Sequence, residues 1–289
     1  MSSQNDALRP LITSHPRQYA ANRYVYPVLS RRAKGISVGV NLNIDKRCNF
    51  GCVYCQVDRA TSEPPEEIDL DRLRRELEAV ISQVRSGRIF ESRFAGTPQP
   101  MRRMNDIAIS GDAEPTTCPQ FAEAVDVCAA ARAEYAAEDV KLVLITNATM
   151  LHQPRVKQGL EVMDRHHGEI WAKLDAGTAE YYQRIARSPV KFERILANLR
   201  ETARARPLVI QSLFMRLEGE PPPETEVAAY CDRLREIVDA GGRIKLVQVY
   251  TVSRPPAESF VAALDTDEVE ALAERVRRET GLEAEAFGA

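Results

Sequence analysis

The chain has 289 residues, 44% of them hydrophobic, and its 39 basic and 42 acidic side chains leave a net charge of -3. That balance gives no overall electrostatic footprint for nucleic acid and leaves open only a local basic patch. The first thirty residues are polar and Arg-bearing, and no run of about eighteen apolar residues occurs, so the sequence reads as having neither signal peptide nor membrane span, and a cytoplasmic protein is expected.

Taken in order, the chain is read as one domain, with an N-terminal extension over 1–35, a core over 36–255 and a C-terminal helix and tail over 256–289. Short β-branched runs alternate with longer amphipathic stretches, which is βα repetition. The first predicted strand is Ile36 to Leu42; Arg31, Arg32 and Lys34 precede it and fall at the end of a parallel architecture that serves stability. Directly after it come Cys48-Asn49-Phe50-Gly51-Cys52-Val53-Tyr54-Cys55, in the spacing C-x3-C-x2-C. Iron-sulfur clusters are held by cysteine thiolates, and three ligands to a four-iron cubane leave one iron open to an exogenous group. A structural zinc site wants four closed ligands, and His15, His152, His166 and His167 stand at no familiar spacing from the triplet. A disulfide framework suits small secreted chains instead. Cys118, Cys128 and Cys231 read as small buried apolar residues.

After a break at Pro64-Pro65, a helix is predicted over Asp69 to Arg85, then a long connection bearing Arg88, Arg93, Arg102 and Arg103. The second strand, Asp106 to Ser110, runs into Ser110-Gly111-Asp112-Ala113-Glu114-Pro115-Thr116. A helix over Pro119 to Ala136 leads to the third strand, Lys141 to Thr146, which ends in Asn147-Ala148. His166-His167 reads as an exposed helix-to-strand connection, because adjacent residues do not share a helical face. The fourth strand, Glu169 to Leu174, ends in Lys173-Leu174-Asp175-Ala176. A helix over Lys191 to Arg206, a strand over Leu208 to Leu217, a helix over Thr225 to Ala240 stopped by Gly241-Gly242, a sixth strand over Ile244 to Tyr250 and a helix over Asp267 to Thr280 complete the pattern. The class is therefore α/β, with parallel strands and right-handed crossovers, and reactive groups are expected where strands end.

C-x3-C-x2-C with an aromatic residue, Tyr54, before the third cysteine resembles the radical S-adenosylmethionine (SAM) superfamily. The resemblance implies a partial (β/α)6 TIM-type barrel, the radical SAM core, with Cys48, Cys52 and Cys55 on a [4Fe-4S] cluster whose open iron chelates SAM. Ser110 to Thr116 resembles the family's Ser-Gly-x-Gly-Glu-Pro-Thr loop, which implies that Gly111, Asp112 and Glu114 meet the SAM amino group. Ala113 stands where that pattern has glycine, a strained choice if the position needs positive φ. Ile145-Thr146-Asn147 resembles the family's Thr-Asn-Gly, making Asn147 a polar contact, and Asp175 is placed to bind ribose hydroxyls, a helix N-cap or a solvated charge being the alternative. Together with Asn43-Ile44 through Gln56 and Val247 to Pro256, these stretches resemble the wyosine-base-modification-related branch, whose best-understood members are tRNA 4-demethylwyosine synthases. Those enzymes carry a second cluster on upstream cysteines, and this chain has no cysteine before Cys48. What carries over is superfamily chemistry, not the tRNA product.

By the family mechanism, SAM is cleaved reductively to a 5'-deoxyadenosyl radical that abstracts hydrogen from substrate. The substrate reading is a tRNA base or, alternatively, a small molecule or peptide, with a reducing partner such as flavodoxin or ferredoxin. A non-catalytic iron-sulfur or zinc-binding protein is the third reading. No catalytic side chain is singled out; Gln211, Arg216, Gln248 and Tyr250 sit at later strand ends with no assigned role.

Overall fold

The computed structural model describes residues 17–30, 32–59, 64, 66–136 and 138–288, so His15, Arg31 and Pro65 lie outside the described residues, as does the stretch 1–16 of the predicted N-terminal extension. The described residues fall into two compact units, one within 1–47, 62–144 and 154–169, the other within 48–61, 145–153 and 170–289.

In the first unit, β1 (Val25–Ser30) pairs antiparallel with β2 (Gly35–Val40), from Val25 opposite Val40 to Ser30 opposite Gly35. All six residues of β2 are buried. It runs parallel to β3 (Met104–Ile109), which runs parallel to β4 (Lys141–Thr146) with Asp106 opposite Lys141 and Ile109 opposite Leu144. The helices are α1 (Leu70–Arg85), α2 (Phe121–Tyr135) and α3 (Pro154–Arg165). Helix α1 forms because Leu73, Leu77, Val80, Ile81 and Val84 repeat at three- and four-residue intervals and are all buried. Asp69 starts it by accepting the Arg72 N-H at 2.8 Å. Glu76, on the same buried face, accepts backbone N-H groups of Arg23, Tyr24 and Val25 at 2.8, 2.8 and 3.1 Å and pairs with Arg72 at 2.8 Å. The helix is thereby tied to the entrance of β1, a strand that sequence patterning did not predict.

Asp106 on β3 is buried and accepts the Ser37 hydroxyl. Burial pushes its carboxyl up to about 6, against the Ser37 hydrogen bond and the Lys141 charge. A carboxyl whose folded pKa is raised costs stability above its unfolded value of about 3.9, and the cost is complete above about 6, a difference of roughly 2 kcal/mol or more. Asp106→Asn keeps an acceptor for Ser37 and is expected to raise the melting temperature at pH 7.5 while leaving it nearly unchanged at pH 4. An equal shift at both pH values in thermal unfolding would contradict this.

In the second unit, β5 (Gly168–Lys173) runs parallel to β6 (Leu208–Leu213), with Lys173 opposite Gln211. Beyond the two-residue β7 (Arg216–Leu217), β8 (Ile244–Tyr250) runs parallel to β6, and β10 (Ala284–Phe287) runs parallel to β8. A small antiparallel pair joins β7 to β9 (Val261–Ala262). The helices are α4 (Ala179–Ala186), α5 (Phe192–Ala205), α6 (Glu224–Asp239) and α7 (Thr266–Thr280). Gly241, at φ 81°, follows α6 as expected, and an Asp265-Glu268 capping box opens α7.

All six predicted strands are present, and the α/β class holds. The predicted strand Leu208 to Leu217 is two, because the chain leaves β6 at Phe214-Met215 and pairs Leu217 with Val261 instead. Phe214 and Met215 are as buried as the strand before them, so hydrophobicity alone could not show the break.

Candidate functional site

The cysteine loop belongs to the second unit. Gly51 and Val53 donate backbone N-H groups to the carbonyls of Ala186 and Ile185, both at 2.9 Å, and Ser188 Oγ donates to the Asn49 carbonyl at 3.0 Å. Apolar residues between the cysteines anchor it: Val53 is buried, and Phe50 meets Tyr182 edge-on at 5.8 Å between centroids, with Tyr182 stacked on Phe192 at 5.1 Å. The sequence thus alternates anchors with cysteines, leaving Cys48, Cys52 and Cys55 partly exposed. A Cys52 carbonyl to Cys55 N-H turn at 3.0 Å draws two of them together. Cys52 and Cys55 line a cavity of about 440 Å³ with Gly51, Gln56, Arg59, Arg187, Pro255 and Glu258. Arg187 pairs with Glu258, and Arg59 Nη2 lies 3.5 Å from Cys55 Sγ.

Asn147, read as a cofactor contact, lies against this loop. Its amide donates to Asn49 Oδ1 at 2.8 Å, its carbonyl oxygen accepts the Thr149 hydroxyl at 2.7 Å, and Asn49 in turn donates to Thr149 Oγ1 at 2.7 Å. Ala148 takes φ 65°, a left-handed conformation costing about 1 kcal/mol outside glycine. Asn198 holds it there, donating to the carbonyls of Ala148 and Thr149 at 2.7 and 3.0 Å. The strain anticipated at Ala113 falls instead at Ala148; Ala113 is not among the residues with positive φ.

Asp175 sits just past β5 with both carboxylate oxygens engaged. Oδ1 accepts the Leu213 N-H at 2.8 Å, while Oδ2 accepts the Tyr54 hydroxyl and lies 3.2 Å from Lys173 Nζ. Lys173 also donates to the Tyr250 hydroxyl at 2.8 Å, and its ammonium lies 5.0 and 5.4 Å from the ring centroids of Tyr54 and Tyr250. Burial pulls the Lys173 ammonium down, but the Asp175 carboxylate and Tyr250 outweigh it and hold it above its ordinary value. Burial also raises the Tyr54 phenol and pushes the Cys52 thiol up to about 12. Gly177 is required two residues on: a Cβ there would lie 2.1 Å from the Tyr230 backbone nitrogen in α6. Sequence reasoning passed over Lys173 and Asn49 and assigned no role to Tyr250; their positions at or beside strand ends and beside Cys48 were the available signal.

The Gly111 to Thr116 loop lies in the first unit. Gly111 has no room for a side chain, since a Cβ would lie 2.2 Å from Asn41 Oδ1. Asp112 accepts from Asn41 Nδ2 at 2.6 Å and pairs with Arg17 at 2.5 Å. Glu114 is buried, caps the turn Pro115–Thr117 and accepts the Thr116 hydroxyl at 2.5 Å. Beside it, Asn43 Nδ2 donates to Thr117 Oγ1 at 3.2 Å, leaving Asn43 Oδ1 buried without a partner among the described residues. An orphaned acceptor beside this loop fits a ligand bearing N-H groups.

Three cysteines on one loop are a donor set of the kind that fits an iron-sulfur cluster, which takes its thiolates on separate irons, whereas a structural zinc site takes four closed ligands.

A family model described as the radical SAM superfamily matches residues 42–226. A UPF0026 protein from Helicobacter pylori (strain J99 / ATCC 700824) is 27% identical over 161 residues, which cover 55% of this chain and 44% of that protein, so the match spans less than half of its length. A structure of TYW1 with a lysine-pyruvate adduct bound is similar with a TM-score of 0.51 and 16% identity, covering 85% of this chain and 74% of that one. A spore photoproduct lyase variant is similar with a TM-score of 0.50 and 13% identity, covering 83% and 74%. At such identities the likeness shows the fold alone, the α/β radical SAM core.

Proposed function

The chain belongs to the radical SAM superfamily, and on that premise we propose that Cys48, Cys52 and Cys55 hold a [4Fe-4S] cluster at which SAM is cleaved reductively. The observation that carries this reading is the loop itself, three partly exposed cysteines alternating with buried anchors, two of them lining a cavity. When bound, the cluster supplies one electron to SAM and leaves one iron for its amino and carboxylate groups, giving methionine and a 5'-deoxyadenosyl radical. This chain's residues divide the remaining tasks. Phe50, Val53 and Tyr54 fix the loop. Asn147 supports it through Asn49, while Gly111, Asp112, Glu114 and the orphaned Asn43 oxygen are read as contacts for the SAM amino group. The sequence marks Asp175 as a ribose ligand, but its oxygens already accept from Leu213, Tyr54 and Lys173, which supports a holding role.

The substrate reading is a tRNA base, resting on the resemblance to the wyosine-related branch. The near-neutral net charge favours a small molecule or peptide as the second reading. A flavodoxin or ferredoxin as electron donor and a cytoplasmic location complete the proposal; among the described residues no helix is long and apolar enough to cross a membrane. The test is anaerobic reconstitution, reduction and addition of SAM, with chromatography for 5'-deoxyadenosine with and without bulk tRNA. Formation of the nucleoside, stimulated by tRNA, is expected. Formation unaffected by tRNA would move the substrate to the second reading, and none with either tRNA or candidate small molecules would overturn the first step.

A further inference from the structure

Of the buried side chains that hold the cysteine loop within the second unit, Tyr54 is the one tied to charge. Tyr54 stands between Cys52 and Cys55, its ring buried and its hydroxyl on Asp175. Asp175 is anchored to the end of β6 through the Leu213 N-H, and Lys173, at the end of β5, is anchored to the end of β8 through the Tyr250 hydroxyl. Side-chain exposure is 8% for Asp175 and 17% for Lys173, so neither charge is well solvated and each is the other's compensation. We propose that Lys173 and Asp175 form a charged clamp that positions Tyr54, and through it the cysteine loop, and that sets the local field at the cluster. This rests on the cluster assignment above and goes beyond it in giving the pair a role that is neither ribose binding nor catalysis.

Three consequences follow from the geometry. A carboxylate has about four lone-pair positions and three donors already face Asp175, so about one is left, and holding both hydroxyls of a ribose diol would mean displacing a donor. Asparagine at 175 has a single carbonyl oxygen to serve both Leu213 and Tyr54, and it turns an amide donor toward the Lys173 ammonium. Both charges also stand against Tyr54, next to Cys55 and two residues from Cys52, so they act on a bound cluster at short range and with opposite sign. Removing the cation should therefore make a bound cluster harder to reduce, and removing the anion should make it easier.

The experiment compares wild-type protein with Tyr54→Phe, Asp175→Asn, Lys173→Gln and the Lys173→Gln/Asp175→Asn double variant. Each is reconstituted anaerobically with iron and sulfide, assayed for iron per chain and poised in a redox titration followed by EPR. Wild-type iron uptake establishes the cluster reading independently, and its failure would fall on that reading alone. Iron content is expected to drop about twofold or more in Asp175→Asn and less in Tyr54→Phe, which loses one hydrogen bond only. The reduction equilibrium should shift about threefold or more toward the oxidised cluster in Lys173→Gln and toward the reduced one in Asp175→Asn, with the double variant near wild type. A purely structural pair would not give shifts of opposite sign. Wild-type iron content and unmoved potentials in all variants would overturn the proposal, as would an Asp175→Asn effect confined to a higher KM for SAM. Should Asp175→Asn not fold, Tyr54→Phe and Lys173→Gln decide by the same readouts.

Discussion

Alanine at Cys48, Cys52 or Cys55 is expected to abolish the cluster while leaving the chain folded. Anchors other than the sulfurs hold the loop: Phe50 and Val53 are buried, and the bonds from Gly51, Val53 and Ser188 run between backbone and hydroxyl groups. Losing one of three thiolates, by contrast, leaves two irons of a cubane without protein ligands. Iron per chain after anaerobic reconstitution should fall below about a tenth of wild type, with the thermal transition nearly unchanged, since small changes at partly exposed positions cost little. Alanine at Cys118, Cys128 or Cys231 is the control. All three are buried, burial pushes the Cys128 and Cys231 thiols up to about 12 and about 11, and iron uptake should not depend on them. Full iron content in any variant of the triplet would overturn the assignment.

The second large effect is expected far from the cysteines, at Glu76. Its carboxylate accepts three consecutive backbone N-H groups and pairs with Arg72, and Glu76→Ala would orphan the three N-H groups at the entrance to β1, while Arg72 keeps the Ala21 carbonyl. Breaking a buried charged network by removing one partner typically costs about 3–5 kcal/mol, and urea denaturation should show a loss of that size. Glu76→Gln, which keeps one carbonyl oxygen, should lose roughly half as much. A loss under about 1 kcal/mol for alanine would mean that water replaces the carboxylate without penalty.

What is legible in the sequence is whatever is local. The strands Lys141–Thr146 and Ile244–Tyr250 stand where their β-branched runs stop, and the cysteine spacing points by itself to the loop that lines the cavity. Strand β1 escapes notice because Pro27 removes a ladder donor in mid-run. It is tolerated because β1 lies at the edge of its sheet, a fact set by tertiary pairing rather than by the run itself. Asn147 and Asp175 stand out in the sequence as polar residues at strand ends, but their partners do not. Asn147 bonds a residue 98 positions away and Asp175 one 121 away, and no periodicity encodes such pairings. Lys173 is hidden for a related reason: a lysine at a strand end reads as a solvated charge, and only the fold brings Asp175 and Tyr250 around it.

The measurement that bears most directly on the open iron of a three-cysteine cluster is EPR of the anaerobically reconstituted, reduced protein before and after addition of SAM. The expected result is a reduced four-iron signal that changes its g values when SAM is added and that is absent from the Cys52→Ala protein. A four-iron signal that SAM leaves unmoved would contradict an open iron, and a chain that takes up zinc but no iron would contradict the cluster itself.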